Sequence, residues 1–78
     1  MKKVDVYSTP SCQYCEMTKS FLKQHEVSFE EHDVAADVEK RTEMIEKSGQ
    51  MGVPVTIIDG GMPIVGFNEQ ALKDALGL

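Results

Sequence analysis

The sequence feature that most constrains the fold is a pair of cysteines, Cys12 and Cys15, in a chain of 78 residues. A disulfide between them would close a very short loop, which removes little entropy from the unfolded chain. A small domain without structural cross-links must gain its stability from well-packed helices and strands. We therefore expect one compact domain over residues 1–78, in which the cysteines serve chemistry.

The residues around the cysteines change from a strand pattern to a helix pattern. Alternating valines predict a strand over residues 3–7, and Ser8-Thr9-Pro10 predicts a turn. Ser11 is a suitable N-cap for a helix over residues 12–25. The residues predicted to share its buried face recur at three- and four-residue spacing: Tyr14, Met17, Thr18, Phe21 and Leu22.

The middle of the chain predicts a second strand and a second helix. Alternation over residues 27–32 indicates the strand, with an apolar face near its start. Helical spacing over residues 36–48 indicates the helix, which ends where Gly49 can adopt a left-handed conformation. The positions predicted to recur along this helix are Val38, Arg41, Thr42, Met44 and Ile45.

The last third of the chain predicts a hairpin and a final helix. Asp59-Gly60 is typical of a turn between strands at residues 55–58 and 62–65, and Pro63 suggests that the second is an edge strand. Asn68 is a suitable N-cap for a helix that buries Ala71, Leu72, Ala75 and Leu76.

The resulting order, βαβαββα, predicts an α/β fold with a mixed four-stranded sheet flanked by helices. A strand-helix-strand start gives two parallel strands joined by a right-handed crossover, and the hairpin adds two antiparallel strands. Helices on both faces would bury the strand side chains.

Charge and hydropathy exclude several classes of function. The net charge is −5, with eight basic and thirteen acidic residues, so no basic stripe indicates a nucleic-acid partner. No apolar run approaches the roughly 20 residues of a membrane-spanning helix. Lys2 and Lys3 resemble the start of an export signal, but Asp5 interrupts it. We expect a cytoplasmic monomer that binds neither nucleic acid nor membranes.

The position of Cys12 predicts its chemistry. Backbone N–H groups at a helix start lack intrahelical partners, and they favour a thiolate, which is the nucleophile in disulfide exchange. Cys15 lies on the same side but deeper in the helix, where it can attack a mixed disulfide formed by Cys12. We therefore predict that Cys12 attacks and Cys15 resolves. We interpret Lys19, the nearest cation in sequence, as an ordinary solvated helix lysine.

Two other interpretations of the cysteines stay open. A zinc site needs further ligands, and the only histidines, His25 and His32, fall on different predicted elements. Two inert buried thiols are the other interpretation, since free cysteine often acts as a small hydrophobe, although the helix-start position argues against it. We expect no bound metal and no permanently bound cofactor.

With these residues identified, the chain resembles the glutaredoxin family over essentially its whole length. The segment Pro10-Ser11-Cys12-Gln13-Tyr14-Cys15 carries the resemblance, because Tyr14 matches the usual Pro-Tyr between the cysteines, although Gln13 departs from it. The resemblance implies the thioredoxin-like fold. It also implies a glutathione-dependent thiol–disulfide oxidoreductase that reduces protein disulfides and glutathione mixed disulfides.

Two further segments resemble parts of the family's binding site. Gly52-Val53-Pro54 is similar to a Thr-Val-Pro segment whose cis proline faces the cysteines and whose valine backbone pairs with glutathione or substrate. Gly66-Phe67-Asn68-Glu69 partly matches a Gly-Gly-x-Asp segment that holds a glutathione carboxylate. The implied binding residues are Tyr14, Val53, Pro54, Gly66, Phe67 and Asn68.

Some departures from the family pattern keep alternatives open. Thr9 and Met51 stand where the family commonly has cations for the glutathione carboxylates. In this the chain also resembles small redoxins that are reduced by thioredoxin reductase and donate electrons to ribonucleotide reductase. A third interpretation is a carrier that shares an iron–sulfur cluster through Cys12 and glutathione, but such proteins more often have a single active cysteine.

Overall fold

The computed structural model describes residues 3–78 and contains seven elements in the predicted order. The strands are β1 (Val4–Ser8), β2 (Glu30–Asp33), β3 (Val55–Ile58) and β4 (Ile64–Val65). The helices are α1 (Gln13–Gln24), α2 (Val38–Ser48) and α3 (Glu69–Leu76). The βαβαββα order is confirmed; Lys2, weighed above as part of an export signal, lies outside the described residues.

The strands form one mixed sheet in the order β2-β1-β3-β4. β1 and β2 are parallel, whereas β1–β3 and β3–β4 are antiparallel, as predicted. Asp59 and Gly60 have φ angles of 53° and 68°, which the tight hairpin turn requires. β4 is shorter than predicted, because Pro63 has no N–H with which to extend the ladder, and it lies at the sheet edge.

Alternation along β1 divides the core between the two faces of the sheet. Val4 and Val6 pack with residues of α1 and α3, including Leu72, which is fully buried. Tyr7 packs on the opposite face with Met44 of α2. The sheet is therefore covered by helices on both sides. A short turn connects the end of β1 to the start of α1.

The buried face of α1 differs from the prediction. Tyr14 and Met17 are 61% and 41% exposed, and Cys15 takes the buried position in the first turn. The N-cap is Cys12 rather than Ser11, because the sulfur of Cys12 accepts the hydrogen bond that a cap provides. The helix consequently begins one residue later and turns Tyr14 toward solvent.

Two further expectations about the middle of the chain were wrong in detail. Val27 and Phe29 pack against the core cluster but do not pair with β1, so β2 begins only at Glu30. The helix α2 begins at Val38 rather than at residue 36, because the side chain of Asp37 caps it by accepting a hydrogen bond from the Lys40 N–H. Met44 is the buried residue of that helix. Within residues 3–78, no helix is long and apolar enough to span a membrane.

Candidate active site

Cys12 lies at the junction of β1 and α1 and caps the helix with its own sulfur. Its backbone is extended, with φ −91° and ψ 113°, which aims the side chain back over the first turn. The Sγ atom accepts a hydrogen bond from the backbone N–H of Cys15 at 3.1 Å. A donor at this position stabilises negative charge on the sulfur, as expected for a helix start.

Cys15 lies beneath Cys12 and is fully buried. Burial raises the pKa of the Cys15 thiol to about 12, and its hydrogen bond with Cys12 acts in the same direction. The backbone of Thr9 and the charge of Lys19 offset part of this rise. Both cysteines are free thiols. They differ in exposure and ionisation, because Cys12 is half-exposed at a helix start, whereas Cys15 is buried and protonated at neutral pH.

The segment before β3 reaches the same point from the other side. The Val53–Pro54 peptide bond is cis, and the carbonyl oxygen of Val53 lies 3.8 Å from the Cys12 sulfur, whose thiol donates to it. Pro54 is buried, and its carbonyl accepts a hydrogen bond from the N–H of Gly66 at 2.8 Å. The Gly52-Val53-Pro54 and Gly66-Phe67-Asn68-Glu69 segments therefore lie side by side, and the first of them contacts Cys12.

The other predicted binding residues differ in conformation and in exposure. Gly66 has a φ of 78°, a conformation that favours glycine, with open space where a side chain would lie. The Phe67 ring packs edge-on against Phe21 at 6.2 Å, so its side chain belongs to the core. Asn68 accepts a hydrogen bond from the N–H of Ala71 at 3.1 Å and caps α3, although it remains exposed.

The surface around Cys12 presents apolar and uncharged side chains where glutathione-binding cations were considered. Tyr14 is largely exposed on the first turn of α1, and Met51 is 73% exposed just before Val53. Thr9 is half-buried in the turn that precedes Cys12. A substrate that reaches the Cys12 sulfur therefore meets an aromatic ring and a thioether rather than charged groups at these positions.

A charged network that the sequence pattern does not indicate lies next to Cys15. Lys19 contacts Glu31 at 2.7 Å and Glu16 at 2.8 Å, and its side chain is only 14% exposed. Ser8, at the end of β1, donates a hydrogen bond to Glu31 at 3.0 Å. Lys19 and Ser8 hold the pKa of Glu31 below its ordinary value. The interpretation of Lys19 as a solvated lysine was wrong, because the crossover to β2 brings Glu31 onto it.

The zinc site considered from the sequence is not assembled around the cysteines. In the part of the chain that the structure describes, the only group of three metal-ligating side chains is Asp5, Glu30 and His32, and it contains no cysteine. Cys12 and Cys15 thus form a dithiol with a helix-start donor, an arrangement suited to thiol–disulfide exchange.

Comparisons with known proteins agree with this geometry. The sequence profile of the family described as Glutaredoxin matches residues 4–62. An uncharacterized glutaredoxin-like 8.6 kDa protein in the rubredoxin operon of Clostridium pasteurianum is 47% identical over 66 residues, or 85% of this chain and 87% of that protein. Glutaredoxin 3 of Escherichia coli K12 is 36% identical over 77 residues, or 99% of this chain and 92% of its own length.

Other matches extend the likeness to structure and to a second kind of redoxin. The crystal structure of a variant of the thioredoxin-like protein BC3987 has a TM-score of 0.90 and 35% identity, covering 99% of this chain and 97% of that one. The glutaredoxin-like protein NrdH of Lactococcus lactis is 37% identical over 49 residues, or 63% of this chain and 62% of that protein. The chain therefore belongs to the glutaredoxin family of thiol redox proteins and has its thioredoxin-like fold.

Proposed function

We propose that this protein is a glutathione-dependent thiol–disulfide oxidoreductase that reduces protein disulfides and glutathione mixed disulfides. The observation that carries the proposal is the hydrogen bond from the Cys15 N–H to the Cys12 sulfur, with the Cys15 thiol buried directly beneath. One sulfur is accessible and stabilised as an anion, and the second is close in the chain and protected from solvent.

In the first step, the Cys12 thiolate attacks one sulfur of the substrate disulfide. A bond forms between Cys12 Sγ and that sulfur, the substrate S–S bond breaks, and the departing thiolate takes a proton from solvent. The enzyme is then joined to half of the substrate through a mixed disulfide. Cys15 stays protonated in this step, because burial raises the pKa of its thiol to about 12.

In the second step, Cys15 loses its proton and attacks the sulfur of Cys12. The bond between the enzyme and the substrate breaks, the second substrate thiol leaves, and a Cys12–Cys15 disulfide remains. Two electrons have then passed to the substrate. Lys19, which lowers the pKa of Cys15 through its charge, assists the loss of that proton.

The substrate is held beside Cys12 by the backbone of Val53. Within residues 3–78, the N–H of Val53 has no hydrogen-bond partner, and its carbonyl contacts only the Cys12 thiol. An extended peptide or glutathione can pair with both groups as an added strand would. Tyr14 and Pro54 provide the adjoining surface, and the segment of Gly66, Phe67 and Asn68 receives a glutathione carboxylate at the start of α3.

Two molecules of glutathione complete the cycle by reducing the Cys12–Cys15 disulfide and leaving as glutathione disulfide. The 36% identity to glutaredoxin 3 along nearly the whole chain supports this donor. We further propose that residues 1–78 act as a single domain, as a monomer, in the cytoplasm, without a permanently bound cofactor.

A second candidate donor is thioredoxin reductase, with ribonucleotide reductase as the acceptor. Two observations favour it: Met51 is exposed where a glutathione-binding cation was expected, and NrdH of Lactococcus lactis is 37% identical over 49 residues. This candidate keeps the same roles for Cys12 and Cys15 and changes the electron donor and the acceptor.

Coupled assays that follow NADPH oxidation distinguish the donors. The oxidised protein is offered either glutathione with glutathione reductase or thioredoxin reductase alone, with a protein disulfide as the acceptor. Turnover with the glutathione system supports the proposal, whereas turnover with thioredoxin reductase alone supports the second candidate.

Variants of the two cysteines test the roles assigned to them. Cys12→Ser should abolish reduction of both substrate classes, because the attacking sulfur is lost. Cys15→Ser should lose activity on protein disulfides and retain activity on glutathione mixed disulfides, which need only one enzyme thiol. If Cys12→Ser were as active as the wild-type protein, the assignment of Cys12 would be wrong.

A further inference from the structure

Three metal-ligating side chains lie together on β1 and β2, on the face of the sheet that carries Tyr7. Asp5 of β1 and Glu30 of β2 are direct partners in the parallel ladder, and His32 lies two residues beyond Glu30 on the same face. One ligand atom of each residue lies within 4.8 Å of the other two. The helix α1, which carries Cys15, packs on the opposite face of the sheet against Val4 and Val6, so the group is separate from the dithiol.

The histidine of this group is already fixed in place. His32 is only 8% exposed, and its Nε2 atom lies 3.1 Å from Asp5 Oδ1. The imidazole ring also packs on the ring of Tyr7, with centroids 5.0 Å apart. A ligand whose orientation is set by packing and by a carboxylate loses little conformational entropy when it binds a metal ion.

Asp5 and Glu30 bring two carboxylates close together on neighbouring strands. Like charges placed directly opposite each other on neighbouring strands destabilise a sheet. Among residues 3–78, neither Asp5 nor Glu30 forms an ion pair with a lysine or arginine. A divalent cation between the strands would neutralise both carboxylates at once.

We propose that Asp5, Glu30 and His32 form a binding site for a divalent transition metal ion of the zinc type. Tetrahedral zinc with nitrogen and oxygen ligands at about 2.0–2.2 Å places those ligand atoms about 3.3–3.6 Å apart. The 3.1 Å between His32 Nε2 and Asp5 Oδ1 is close to this spacing. Glu30 is exposed, so its side chain is free to swing onto the ion.

The chemistry of the three ligands sets the expected selectivity. One imidazole and two carboxylates suit zinc, whereas magnesium prefers an all-oxygen shell and retains its water. Three protein ligands leave a fourth position for water. Binding requires an unprotonated Nε2, because the lone pair of that nitrogen would coordinate the ion.

Calorimetric titration with zinc chloride tests the site in a Cys12→Ser/Cys15→Ser background, in which no thiolate competes for the ion. We expect one equivalent of zinc to bind and an equal concentration of magnesium not to displace it. His32→Gln should weaken binding more than about a hundredfold, beyond the 10–100-fold typical of losing an outer-shell partner. Glu30→Gln, at an exposed position, should also weaken binding while leaving the fold intact.

His25→Gln is the matched control, because it removes the other histidine of the chain. Its zinc affinity should equal that of the background protein. Nuclear magnetic resonance of the imidazoles provides a second readout, in which zinc should shift the His32 signals and leave those of His25 unchanged. The proposal would be overturned if the background protein did not bind zinc, or if Glu30→Gln and His32→Gln bound zinc as tightly as the background protein. It would also be overturned if only His25→Gln lost affinity.

Discussion

The enclosure of Cys15 predicts that its thiol reacts slowly until Cys12 has formed a mixed disulfide. The perturbation that isolates it is Cys12→Ser, which leaves Cys15 as the only thiol of the chain. Cys15→Ser is the matched control, because it leaves the half-exposed Cys12 instead. Both variants replace sulfur by oxygen of similar size, so the comparison reports the position of the remaining thiol.

The size of the effect follows from the raised pKa. In the wild-type protein, a rise from 9.0 to about 12 lowers the thiolate fraction of Cys15 at neutral pH about a thousandfold. A more basic thiolate is more nucleophilic, and with a Brønsted coefficient of about 0.4–0.5 this recovers about 15–30-fold, which leaves about 30–60-fold. Cys12→Ser removes the part of the rise that comes from Cys12 and keeps the larger part that comes from burial, so about 30–60-fold is the upper limit for slowing by ionisation in this variant. Burial of the sulfur slows the reaction further.

The assay measures the rate at which Cys12→Ser exchanges with the disulfide 2,2′-dithiodipyridine, which is followed by absorbance. The rate is compared between the folded variant and the same variant unfolded in urea. The folded variant should react more slowly than the unfolded one, with ionisation contributing up to about 30–60-fold. Its rate should keep rising with pH above about 9, because the folded thiol is still protonated there, whereas the unfolded rate levels off. Equal rates in the two states, or a folded rate that levels off near pH 9, would refute the reasoning. Folded Cys15→Ser should react rapidly.

Three further measurements test the packing and electrostatics of the fold. Leu72→Ala empties a fully buried position and should cost about 2–5 kcal/mol of unfolding free energy in urea; a loss below about 1 kcal/mol would contradict the core assignment. Asn68→Ala removes the bond to the Ala71 N–H and should cost about 1 kcal/mol; an unchanged urea midpoint would count against the cap. Lys40 holds the pKa of Glu43 at about 2, so the stability from Glu43 is present above its ordinary pKa and lost as pH falls toward 2. Glu43→Gln should therefore flatten the acid side of the stability profile, and an unaltered profile would contradict this.

Much of the fold was predictable because local pattern and tertiary environment agree. Val4 and Val6 alternate in a strand whose alternate faces are buried, and Leu72 lies at the centre of a clear helical stripe. Asp59-Gly60 has the turn chemistry that a hairpin needs. In these places, the local preference of the chain is also the arrangement that buries most apolar surface.

The details that escaped prediction depend on contacts between distant residues. Cap preferences favour serine, so Ser11 was predicted as the cap, but the sulfur of Cys12 reaches the N–H of Cys15 instead. Lys19 and Glu31 are twelve residues apart and meet only because α1 and β2 lie beside each other. Spacing within one element indicates which residues share a face, but it does not indicate which side chain of another element will lie opposite.

The capping of α1 by a reactive sulfur has a thermodynamic consequence. The hydrogen bond between Cys12 Sγ and the Cys15 N–H is strongest when that sulfur is an anion, and oxidation to a disulfide removes the charge. The conformational free energy of the first helical turn is therefore coupled to the reduction potential. A substitution that favours the capped, reduced turn by about 1.4 kcal/mol would raise the potential by about 30 mV, so residues of this turn can tune oxidising strength without contacting a substrate.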